Sequence, residues 1–120
     1  MAIRLRGAVL RGRVLGDGEV TVAGARLAGT PEGEVRALPP GWTVCPGFVD
    51  VQVNGFGGAE VGDEPGALAT VAAALPACGV TAFCPTLVTR APDGYRRAAE
   101  ALAGAPVAAH AARPLSLIHI

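Results

Sequence analysis

One hundred and twenty residues, 51% of them hydrophobic and 17% charged, suffice for one ordinary domain or a piece of a larger one and exclude a disordered chain. Ten arginines balance ten acidic residues and no lysine is present, so no field of one sign exists to draw in nucleic acid or an anionic membrane. Cys45, Cys78 and Cys84 lack the short paired spacings of a zinc knuckle or a redox dithiol, and they read as reduced core residues.

The opening stretch MAIRLRGAVLRGRV meets Arg before any apolar run reaches signal-peptide length, which points to a cytoplasmic protein. Residues 1–45 are short β-type runs (IRL, AVL, EVTVAG, ARLAG, VRAL, TVC) with Gly16-Asp17-Gly18 as a hairpin-style turn. They predict a small antiparallel β-sheet domain. Arg4, Arg6, Arg11 and Arg13 recur at alternate positions, as on a solvated strand face. Pro39-Pro40-Gly41 can continue neither strand nor helix and is expected to mark the join to a different architecture.

From Phe48 to Asn54 the residues alternate strictly, with Val49, Val51 and Val53 on one side and Phe48, Asp50, Gln52 and Asn54 on the other. A half-exposed strand explains this. So does a parallel barrel strand whose valines pack under helices while its polar row faces the barrel axis and the active-site mouth. A Gly-rich loop at 55–58 follows, and then a helix in which Leu68, Val71, Leu75 and Cys78 keep helical spacing, Pro76 bends the last turn and Gly79 ends it. Residues 65–89 carry no charge and are long enough to cross a bilayer, but Pro76, Gly79 and Pro85 divide them into helix, turn and strand, so no membrane span is expected. Thr81–Leu87 reads as a second buried strand, and Pro92, Tyr95, Ala99 and Leu102 as a second helix closed by Gly104.

Strand, helix, strand, helix is the α/β signature of parallel strands with crossover helices. A closed eight-stranded barrel needs on the order of 250 residues, so residues 46–114 supply only its first two strand-helix units. The chain is expected to be truncated, with a tail that makes few contacts after about Ala105.

The segments PGFVDVQVNGFGG (46–58) and GVTAFCPTLVT (79–89) resemble the amidohydrolase superfamily and, within it, the N-acetylglucosamine-6-phosphate deacetylases, the likeness running from the N-terminus to about Pro114. The resemblance implies a β-sandwich portion over 1–45 and the start of an incomplete (β/α)8 barrel over 46–114. Most of the superfamily ends this first barrel strand in His-x-His, because imidazoles at i and i+2 point the same way and hold one metal. Gln52 and Asn54 occupy those positions here. Neutral amides are weak ligands beside imidazole, so the resemblance is to the single-metal branch, with Gln52 and Asn54 lining the substrate pocket and no metal ligand in this chain.

For the parent protein the resemblance implies hydrolysis of N-acetylglucosamine 6-phosphate to glucosamine 6-phosphate and acetate, one divalent metal, zinc being the expected one, an Asp as general base and acid, and a homo-oligomer. In the family the retained metal is held from an H-x-E-G-P segment and by later histidines. The chain stops short of that segment, and His110 lacks the Glu, since residue 112 is Ala. No catalytic residue is therefore expected in these 120 residues, and the chain by itself is expected to be inactive.

The remaining candidates have plain readings. Asp50 is a general base or, better, a structural carboxylate satisfied by backbone donors. Gly55, Gly57 and Gly58 have neither P-loop nor dinucleotide spacing and suggest a mobile loop. Thr86 and Thr89 can face the same mouth as Gln52 and Asn54. Residues 115–120, LSLIHI, can be encoded by CTGTCTCTTATACACATC, a transposon end used in DNA-library preparation; they are expected to be adapter read-through, leaving His119 without biological meaning. The alternative to an enzyme fragment is a short non-catalytic binding or assembly module whose exposed β edges are covered by a partner through strand addition.

Overall fold

The computed structural model describes residues 1–24, 26–29, 32–103, 105–108, 111–115 and 118–119, and the chain forms two compact units, Met1–Pro46 and Gly47–Ile120. Gly104, expected to close the second helix, and His110 lie outside the described residues.

The first unit is one five-stranded sheet. Strands β1 (Ala2–Arg11) and β2 (Val14–Ala23) form a hairpin from Ala2 opposite Ala23 to Arg11 opposite Val14. Its turn is Gly12-Arg13, with the positive φ of +61° at the first position that a II′ turn demands. The predicted turn at Gly16–Gly18 is instead strand, with Gly16 opposite Val9 and Gly18 opposite Gly7. This register sets Ile3 against Val22 and Leu5 against Val20 on one face; a one-residue slip would break that match, which is why it wins over the glycine signal.

Strand β3 (Arg26–Ala28) pairs antiparallel with β2. Strands β4 (Glu34–Ala37) and β5 (Thr43–Val44) both run parallel to β1. The sheet is therefore mixed, not antiparallel: after β3 the chain passes to the other edge of β1 and lies along it in the same direction. Pro39-Pro40-Gly41 is a turn inside this unit, closed by the Trp42 amide on the Pro39 carbonyl at 3.1 Å, after which β5 returns to β1. Cys45 and Cys78 are exposed and Cys84 is half-buried, so the three free thiols are not all core residues as expected.

Arg6 sits across from Glu19, and the guanidinium groups of Arg4 and Arg6 both meet its carboxylate, while Arg11 donates to the Glu19 carbonyl at 2.9 Å. Arg13 belongs to the turn instead of the strand face. Because Arg6 and Glu19 remain substantially solvated, Glu19→Gln is expected to change stability by less than about 1 kcal/mol, checked by the urea midpoint at low and high salt.

The second unit has β6 (Phe48–Val53), a hairpin of β7 (Gly55–Phe56) and β8 (Ala59–Glu60), α1 (Ala67–Ala74), a 3-10 turn (Leu75–Cys78), β9 (Val80–Leu87), α2 (Pro92–Leu102), β10 (Arg113–Pro114) and β11 (Ile118–His119). β6, β10 and β11 all run parallel to β9. Leu68, Val71 and Leu75 from the first helical segment, Phe83 and Leu87 from β9, and Ala98 from α2 form one core with Val53, Val61 and Ala112. Pro76 opens the 3-10 turn instead of kinking an α-helix, and Gly79, at φ +79°, closes it with its amide on the Pro76 carbonyl.

Three further expectations are corrected. The glycines at 55–58 make a tight hairpin, with Gly57 and Gly58 at φ +63° and +85°, the pair of left-handed residues a type I′ turn requires. Of the three valines, only Val53 is buried, whereas Val49 and Val51 are 55% and 68% exposed, because β6 is an edge strand and no described helix covers that part of it. Among the described residues after Ala105 there are definite contacts where few were expected: Ala112 is fully buried, its amide bonds the Ala72 carbonyl at 2.9 Å, and the Leu115 amide bonds the Phe83 carbonyl at 2.8 Å. The second edge of β9 presents unpaired donors and acceptors, and this stretch satisfies them.

Pro85 lies in the C-terminal half of β9. On one side the β6 ladder shifts between Asp50 and Val53, the latter opposite Pro85; on the other, pairing stops at Pro114 opposite Phe83 and resumes at Ile118 opposite Thr86. Proline supplies no N–H to a ladder, and both neighbours are interrupted around it. Among the described residues no helix is long and apolar enough to cross a membrane.

Candidate functional site

In parallel α/β sheets the carboxyl ends of the strands, with the loops that follow them, form the usual ligand crevice. At that end of β6 stand Gln52 and Asn54; at that end of β9 stand Val88 and Thr89. The four together line an open cleft of about 330 Å³. Gln52 and Asn54, two residues apart, both line it, so side-chain amides that can donate and accept stand in one cleft with the Thr89 hydroxyl just beyond the end of β9.

Local structure holds this edge in place. The Asp50 carboxylate accepts the Gln52 backbone amide at 3.0 Å, within the stretch where the ladder slips. That is the structural carboxylate expected for Asp50, since an acceptor bound to a backbone donor fixes the chain entering Gln52. The Asn54 carbonyl accepts the Val61 amide at 2.7 Å, tying the base of the β7–β8 hairpin to the cleft. Thr89 reaches the cleft, but Thr86 does not: its side chain is fully buried and its hydroxyl donates to the Cys84 carbonyl at 3.1 Å.

The residue sequence reasoning missed is Arg90. Its Nη2 meets Glu60 Oε1 at 3.2 Å, its Nη1 the Gly62 carbonyl and its Nε the Val88 carbonyl, both at 3.4 Å. Its backbone amide donates to the Tyr95 hydroxyl at 3.2 Å. An Arg after a strand end with an acid thirty positions earlier carries no local sequence signal, because the partnership depends on the tertiary path of the hairpin. Among the described residues no three His, Cys, Asp or Glu side chains converge as a metal site.

No family model matches the chain. Curated proteins do. N-acetylglucosamine-6-phosphate deacetylase from Rattus norvegicus is 44% identical over 61 residues, 48% of this chain and 15% of the relative. The Homo sapiens protein of the same name is 43% identical over the same number of residues, and that of Caenorhabditis elegans is 32% identical over 96 residues, 74% of this chain and 22% of the relative.

Over about half its length the chain is similar to N-acetylglucosamine-6-phosphate deacetylases. It spans about 15% of the length of the mammalian relatives it matches. The crystal structure of N-acetylglucosamine-6-phosphate deacetylase from Pasteurella multocida shares its fold over 84% of this chain and 29% of that one, with a TM-score of 0.62 and 20% identity. The likeness to the deacetylases thus rests on sequence over half the chain and on fold over most of it. It agrees with a β-rich first unit followed by mixed α and β structure.

Proposed function

We propose that this chain is the amino-terminal part of an N-acetylglucosamine-6-phosphate deacetylase, in which residues 46–114 begin a (β/α)8 barrel and Gln52 and Asn54 face the amino-sugar phosphate. The observation that carries this is the pair of amides at the carboxyl end of the first parallel strand, facing Thr89 across the cleft. Amides suit the neutral, hydroxyl-rich and N-acetyl part of such a ligand because each offers donor and acceptor without the desolvation cost of a charge.

The described residues do not fit a metal centre: the first-strand positions hold amides, and no convergent group of His, Cys, Asp or Glu accompanies them. A divalent metal, with zinc the expected ion, would have to be held by residues other than those described. What these residues contribute is binding and orientation, and the chain alone is inactive. A cytoplasmic location and a homo-oligomeric parent, with no nucleic-acid or membrane partner, complete the reading.

The test is acetate release from N-acetylglucosamine 6-phosphate by the 120-residue chain and by the product of the complete reading frame, sequenced by a transposon-free method. Chelator-sensitive release by the longer product and none by the chain is the expected result. Stoichiometric zinc and turnover in the chain alone would overturn it. The second reading, a strand-addition module, draws on the exposed valines of edge strand β6; it predicts a stable complex with a partner and no release by either product.

A further inference from the structure

Two loops flank the cleft, and one side chain joins them. Arg90 directly follows Thr89, a cleft residue, and its guanidinium reaches across to Glu60 and Gly62 at the end of the β7–β8 hairpin. The hairpin is in turn bound to the cleft through the Val61 amide on the Asn54 carbonyl. The connection runs from Thr89 through Arg90 to Gly62 and Val61, and so to Asn54. On its other side the Arg90 amide is anchored to Tyr95 of α2.

We propose that Arg90 is a positioning residue, setting the separation between the Asn54 and Thr89 walls of the cleft, and that it is not itself a ligand for the anionic group of the substrate. The inference rests on the cleft being the substrate site. An arginine beside a sugar-phosphate cleft invites the opposite assignment, yet Nε and both Nη atoms are already directed at Val88, Gly62 and Glu60, and the side chain is only 18% exposed. At 3.2–3.4 Å the contacts are long, so the clamp works by number and by the planar fork. Glu60 is half exposed, which leaves its charge screened and makes geometry the larger part of the effect. A lysine carries its three donors on one nitrogen and so cannot span acceptors that the guanidinium reaches from Nε, Nη1 and Nη2.

The experiment uses the whole 120-residue chain, labelled for NMR, as wild type, Arg90→Ala and Arg90→Lys. In Arg90→Ala the amides of Val61 and residue 90 are expected to exchange about tenfold faster. The side-chain NH₂ resonances of Gln52 and Asn54 shift, while the amides of Val71 and Phe83 in the core stay in place. Arg90→Lys, which keeps charge and length, is expected to show the same pattern at reduced size. In wild type, millimolar inorganic phosphate leaves the Arg90 Nε–H resonance unmoved.

Unchanged exchange at Val61 and residue 90 in a folded Arg90→Ala protein would overturn the positioning role. If that variant loses its core resonances, wild-type exchange at the same two amides in Arg90→Lys would overturn it instead. A phosphate-induced shift of the Arg90 Nε–H would overturn the claim that it is no anion ligand. None of these readouts needs turnover, so a failure of acetate release would count against the functional reading and leave this one standing.

Discussion

Phe83→Ala is expected to lower the stability of the second unit by about 3–5 kcal/mol. Phe83 is fully exposed to packing and not at all to solvent: it lies in the middle of β9, in the one core that joins Leu68, Val71 and Leu75 to Leu87, Ala98 and Ala112. Several of its neighbours are alanines with no rotamers to swing into the space, so the cavity collapses poorly and the loss falls at the upper end of the large-to-small range. Small domains have only about 5–15 kcal/mol in hand. Urea denaturation followed by far-ultraviolet circular dichroism reads the midpoint, and hydrogen exchange at the Ala112 and Leu115 amides localises the loss. A midpoint shift worth less than about 1 kcal/mol would mean that Phe83 is not the keystone of this core.

Gly62→Ala is expected to be comparably damaging, at about 2–6 kcal/mol. The backbone at Gly62 has φ +78°, where a side chain is strained, and an added methyl would stand 2.7 Å from Leu87 Cδ2 and 2.8 Å from Ala98 Cβ. Leu87 can yield by changing rotamer; Ala98, fixed to its helix, cannot. Gly58→Ala is the control, since Gly58 also has positive φ, +85°, but an added methyl meets nothing within 4 Å. That variant carries the backbone strain alone, about 1–3 kcal/mol. Equal midpoint shifts for the two variants would show that crowding against α2 contributes nothing.

The order strand, helix, strand, helix was legible because its signals are local: alternation at Phe48–Asn54, helical spacing from Leu68 to Leu75, Gly79 in the left-handed conformation, and Pro92 at the first position of α2. The spacing of Gln52 and Asn54 was legible too, and both line the cleft, although the ladder slips between Asp50 and Val53 and Asn54 lies past the end of β6. What the text of the chain concealed is decided between segments. Gly16–Gly18 was read as the turn and Gly12 makes it, a choice that only the pairing of apolar residues across the hairpin decides. The direction of β4 and β5 depends on which edge of β1 the chain reaches. The exposure of Val49 and Val51 depends on what lies beside an edge strand, and the Arg90 clamp on a hairpin that brings Glu60 within reach. Thr86 and Thr89 illustrate the limit well: three residues apart near one strand end, one is sealed inside and the other opens on the cleft.

The broken ladders around Pro85 have a consequence for the chain before it folds. Val80–Leu87 is an uncharged, apolar, strand-forming octapeptide, the composition from which cross-β fibrils grow when identical copies stack in register. A stack of this segment would repeat the missing proline N–H in every layer and leave a carbonyl unanswered each time. The defect that costs the native sheet one interruption on each flank would thus recur along the whole length of a fibril, so the same residue that weakens β9 shields it, as a gatekeeper, from self-templated aggregation during synthesis.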